Sequence, residues 1–139
     1  MAIAARGAYA FRTKLNLPYE QAVQKAREVL GEQGFGILTE IDVKKTMKEK
    51  IGVDFRPYII LGACNPELAR RAMEAELDVG VLLPCNVVVY EEDSGSVVAA
   101  QDPEAMLSFV GNPALAPVAA EAAARIRHAL DSLQGEAKV

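Results

Sequence analysis

Polar and apolar positions alternate along "AYAFRTKL", residues 8–15: Tyr9, Phe11, Thr13 and Leu15 fall on one side, Arg12 and Lys14 on the other. A period of two is that of a half-buried strand. Helical spacing replaces it at Ala22, Val23, Ala26, Val29 and Leu30. Pro18 suits the opening of this helix, Glu20 complements its positive end, and Gly34 is placed to stop it. Alternation returns in "FGILTEID", residues 35–42, which predicts Phe35, Ile37 and Ile41 inward and Glu40 and Asp42 outward or into a groove. Val43, Met47 and Ile51 then predict a short helix ending at Gly52. "FRPYIILGAC", residues 55–64, is apolar on both faces toward its end, as an interior strand is, although Pro57 weakens its start.

Three later segments open with an Asx residue followed by proline: Asn65-Pro66, Asp102-Pro103 and Asn112-Pro113. The Asx oxygen can accept an orphan backbone N–H, and proline at the first helical position sacrifices no hydrogen bond, so each predicts a helix start. Between them "VGVLL" (79–83), "NVVVYE" (86–91) and "VVAAQ" (97–101) read as strands, the last two forming an antiparallel hairpin around "EEDSGS". From about 114 to 133, Leu115, Ala119, Ala122, Ile126, Ala129 and Leu133 form a helical seam of small and apolar residues. That seam suits packing on the chain's own sheet or a dimer contact. The element order predicts an α+β fold: a single sheet of about six strands, helices packed on one face, and a C-terminal helix, as a single domain over residues 1–139. Alternation in the first two strands leaves part of the opposite face wet or covered by a partner.

Composition narrows the function classes. Hydrophobic residues make up 51% and charged residues 24%, as in an ordinary globular protein. A formal charge of −4, no dense basic run and no tryptophan argue against nucleic acid as a partner. No apolar run reaches the roughly 18 residues that a membrane span requires, so no membrane partner is expected. "MAIAARGAYAF" lacks the apolar core of a signal peptide, and two cysteines without one suggest a reducing, cytoplasmic setting.

The candidate chemistry gathers where "LGACNPELA" and "LLPCNVVVY" each place a cysteine before an asparagine: Cys64-Asn65 and Cys85-Asn86. Cys64 precedes a helix start; a dipole aimed at its sulfur would favour thiolate, whereas free cysteine more commonly packs as a small hydrophobe. If strands 55–63 and 79–83 are parallel neighbours joined by the 66–76 helix, both thiols reach one C-terminal edge, where open α/β sheets bind ligands. Asn65 has a capping duty; Asn86 has none and is a candidate to line a pocket. Glu40 and Asp42 are paired carboxylates for acid/base work or, more simply, a surface charge and a helix cap. Tyr58 offers a hydroxyl to a pocket or packs in the core. Asp54 and Arg56, flanking Phe55, are expected to pair at the surface.

The only histidine, His128, has no ligand set around it, and no phosphate-loop, dinucleotide or Ser-His-Asp pattern occurs, so no metal or cofactor is expected. The reading is a small-ligand-binding domain using Cys64, Asn65, Cys85, Asn86, Glu40 and Tyr58. Thiol redox or enzyme activity through Cys64 and Cys85, and a purely structural dimerisation module, are the alternatives.

"GFGILTEIDVK", "LGACNPELA" and "LLPCNVVVY", with "DPEAML" after them, resemble the domain of unknown function 302 family, over about Phe11 to Leu107 and a core of 8–107. The resemblance implies a small α+β protein and a homodimer; it supplies neither a reaction nor catalytic residues.

Overall fold

The computed structural model describes residues 5–137. Five strands of six to eight residues form one antiparallel sheet: β2 (Ala10–Leu15), β3 (Gly36–Asp42), β4 (Tyr58–Cys64), β5 (Cys85–Glu92) and β6 (Gly95–Gln101). A two-residue pairing, β1 (Ala5–Arg6), extends the edge beside β2, giving the order β1-β2-β6-β5-β4-β3. The helices are α1 (Tyr19–Glu32), α2 (Val43–Ile51), α3 (Pro66–Ala75), α4 (Pro103–Leu107) and α5 (Ala116–Ala137).

The core lies between the sheet and α1, α3, α4 and α5. Phe11, Leu15, Leu61, Val87, Val89, Val98 and Ala100 supply the sheet side, and Leu30, Ile126, Leu130 and Leu133 the helix side. All six residues of the α5 seam are buried in this core. The seam is therefore filled by the chain's own sheet and is not a dimer contact.

The punctuation acts as its chemistry predicts. Asn65, Asp102 and Asn112 each accept a backbone N–H from the turn they open, at 3.2, 3.0 and 3.0 Å respectively. Asp42 caps α2 by accepting from Lys45 N at 3.0 Å. Gly34 takes φ 85°, and the N–H groups of Gly34 and Phe35 return to the carbonyls of Gly31 and Leu30, the pair of bonds that closes a Schellman motif.

Three expectations are corrected. Residues 79–83 are not a strand: Leu77–Leu82 form a 3-10 helix that buries only Val79, and the place beside β4 is taken by β5. The β4–β5 pairing is consequently antiparallel, with Ala63 opposite Cys85, rather than parallel. In β3 the register shifts between Ile37 and Thr39, and this bulge reverses the alternation after it. Ile41 then pairs with Ile60 on the helix-free face and is 49% exposed, while Glu40 and Asp42 pair with Leu61 and Ile59 on the helix side. Helix α2 has its predicted bounds and buries no residue.

Candidate functional site

The antiparallel arrangement still brings the two Cys-Asn segments to one edge of the sheet, because β4 ends where β5 begins. Cys64 and Cys85, with Asn65, Phe35, Leu68 and Leu107 among their neighbours, line a cavity of about 40 Å³ between sheet and helices. That is room for little more than a water or two. Apart from the two thiols and Asn65 the lining is apolar. Burial pushes the Cys64 thiol above its ordinary value. It pushes Cys85 up to about 11, with a smaller contribution from Cys64 nearby. Both shifts run against thiolate formation, and burial is the cause at Cys64.

Asn86 and Tyr58 lie elsewhere. Side chains alternate across β5, so Asn86, Val88 and Tyr90 point away from Cys85, Val87 and Val89, onto the face that carries no helix. On that face is an open hollow of about 620 Å³, lined by Tyr9, Ala10, Arg12, Tyr58, Asn86, Val88, Tyr90, Ala99, Gln101 and Met106. Its floor is a cross-strand row: Arg12 stands opposite Ala99, and Ala99 opposite Val88. Tyr58 and Tyr90, paired across β4 and β5, form one wall. Their rings stack with centroids 5.3 Å apart and planes 7° from parallel, and Phe55 meets Tyr58 edge-on at 6.1 Å. Arg12 Nη2 donates to the Tyr90 hydroxyl at 3.3 Å and lies 3.6 Å from Glu92. Burial is the main cause of a raised Tyr58 hydroxyl pKa, so this phenol stays a neutral donor and acceptor.

Glu40 belongs to neither cavity: its carboxylate meets Arg27 of α1 at 2.8 Å, which ties the edge strand to the helix layer. Asp54 and Arg56 do not pair with each other. Lys48 takes Asp54 at 3.1 Å, and Arg56 donates to the Glu91 carbonyl while lying over the Tyr90 ring. The structure thus divides the six candidate residues into a thiol cavity (Cys64, Asn65, Cys85), an open-face hollow (Tyr58, Asn86) and a structural ion pair (Glu40). Sequence reasoning missed Tyr90, Arg12 and Gln101 as lining residues. The alternation of Val87 and Val89 with Asn86 and Tyr90 was a signal for the first of these.

Comparison with known proteins agrees with the architecture. The family model described as "Domain of unknown function DUF302" matches residues 11–133, which takes in α5 as well as the segments quoted above. A crystal structure of an uncharacterized conserved DUF302 protein from Bacillus stearothermophilus is 30% identical, covering 91% of this chain and 99% of that one, with a TM-score of 0.85. No curated protein matches the chain. Among the described residues no helix is long and apolar enough to cross a membrane, and no group of three or more His, Cys, Asp and Glu side chains forms a candidate metal site.

Proposed function

The chain belongs to the DUF302 family, and from that premise we propose that it is a homodimeric small-ligand-binding domain whose site is the open-face hollow. The observation that carries the reading is the hollow itself. At about 620 Å³ it lies in the size range of sites for small molecules, and it combines an apolar floor with a few polar groups: Arg12, Tyr58, Asn86 and Gln101. The thiol cavity is some fifteen-fold smaller by the same measure, and its cysteines are held protonated, which argues against a thiol-centred reaction. Asn86 links the two regions in sequence, since it follows Cys85 and faces the opposite way.

The dimer surface in this reading lies beside β3, the strand at the end of the sheet. Leu38, Met73 and Leu77 are 66%, 39% and 81% exposed there and line a shallow groove with Pro66 and Ala69. Arg70, held between Glu67 and Glu74 on α3, lines the same groove.

Titration of one- and two-ring aromatic compounds into ¹⁵N-labelled protein tests the site. Binding should shift the amides of Val88, Ala99 and Gln101, and Tyr58→Ala should weaken it about fivefold, given that an aromatic contact contributes ~1 kcal/mol. A full panel that leaves those amides unmoved would overturn the reading. Light scattering tests the dimer: Leu77→Glu combined with Met73→Glu should give a monomer.

A further inference from the structure

On the basis of that reading we infer that the hollow takes a flat aromatic carboxylate, bound by its anionic end at Arg12. Among the described residues Arg12 is the only charged one in the lining, and its ion-pair partner Glu92 lies outside it. Its Nη2 is occupied by the Tyr90 hydroxyl and lies near Glu92, while Nε and Nη1 have no partner among the described residues. A guanidinium offers five N–H donors in a planar fork, so the Nε and Nη1 N–H groups remain to donate singly to a carboxylate oxygen. The hydrogen bond to the Tyr90 hydroxyl also holds the fork beside the outer end of the stacked tyrosine wall.

The body of the ligand follows from the rows of the sheet. The floor beside Arg12 consists of Ala99 and Val88, which stand low enough for a flat apolar ring system to lie on. Tyr90 and Asn86 flank Val88 along β5, two residues to either side of it. The wall of Tyr58 and Tyr90 gives such a ring system an aromatic surface to meet. The far end carries the side-chain amides of Asn86 and Gln101, which hydrogen-bond to neutral polar substituents and add no charge.

The test compares three probes of one shape: 2-naphthoate, neutral 2-naphthamide and cationic 2-naphthylmethylamine, each titrated into ¹⁵N-labelled wild type and Arg12→Gln. In wild type, naphthoate should bind on the Val88–Ala99–Gln101 surface at least tenfold more tightly than naphthamide, and the amine least of all. In Arg12→Gln that preference should disappear, naphthoate losing at least tenfold more affinity than naphthamide, and the rest of the amide spectrum reports that the variant is folded. Equal affinities for naphthoate and naphthamide in wild type would overturn the carboxylate inference and leave the ligand-binding reading standing. A preference that survives Arg12→Gln would overturn the role of Arg12. If those amides instead shift with protein concentration alone, the face is covered by a second copy, and both readings fall.

Discussion

Tyr58 and Tyr90 stand opposite each other on β4 and β5 with their rings nearly parallel, 5.3 Å between centroids. The pair is the one aromatic stack among the described residues, and it rises from a face that no helix covers. It stabilises the strand pairing beneath it and shapes a wall of the hollow. A double-mutant cycle with Tyr58→Ala and Tyr90→Ala, followed by urea unfolding, should return a coupling of about 0.5–1.5 kcal/mol. A coupling near zero would mean that the two rings do not stack in solution.

Gly34→Ala should cost more than Gly52→Ala, although both glycines close helices with positive φ, at 85° and 69°. Each substitution incurs about 1–2 kcal/mol for a left-handed alanine. A Cβ at Gly34 also falls 2.9 Å from Asn65 Nδ2, whereas one at Gly52 meets open space. Midpoints of urea unfolding compare the two directly, and equal losses would deny the contact with the Asn65 cap.

Cys85 predicts a falling stability in alkali. Its thiol is raised from 9.0 to about 11 in the folded chain, mainly by burial. Folding therefore favours the protonated form; the stabilisation is complete below about pH 9 and is lost as the pH rises toward 11. The contribution at stake is about 2–3 kcal/mol at 1.36 kcal/mol per pH unit. Cys85→Ala should flatten that part of the stability–pH curve relative to wild type. At neutral pH the native thiols should react slowly with a disulfide reagent and label fully on unfolding; rapid native labelling would restore the redox alternative.

Ile126→Ala should destabilise the chain by about 2–5 kcal/mol, because Ile126 is fully buried between α5 and the sheet. Chemical denaturation measures the loss. Light scattering on the same variant should show an unchanged oligomeric state, since the seam faces inward; dissociation without loss of stability would return α5 to the interface.

Much of the fold was legible because local chemistry and tertiary demand agree in it. Each Asx-Pro start, the Asp42 cap, the Gly34 stop and the α5 seam depend on spacings that the sequence displays openly. The misread elements are those where tertiary structure overrides a local pattern. "VGVLL" has strand composition, yet only Val79 is needed in the core, and a tight helix delivers it. The bulge after Ile37 inserts one residue into β3 and exchanges the faces of Ile41 and Glu40, which no periodicity reveals in advance. The site was half legible for a related reason. The Cys-Asn pairs do mark one sheet edge, but strand alternation sends Cys85 inward and Asn86 outward, and the larger hollow recruits Arg12 and Gln101 from strands distant in sequence.

The strand order also dictates a sequence of events during folding. From β3 to β6 each strand lies beside its successor, so these pairings close loops of modest length. Strand β2, near the start of the chain, pairs with β6 at the far side: Ala10 meets Gln101 across 91 positions (101 − 10). Closing that span carries the larger entropic cost and is repaid only once β6 is in place to receive β2. The β3–β6 meander is therefore expected to be formed in the folding transition state and β2 to dock after it. Stopped-flow kinetics should then show Phe11→Leu accelerating unfolding while leaving the folding rate nearly unchanged, and Val89→Ala slowing folding.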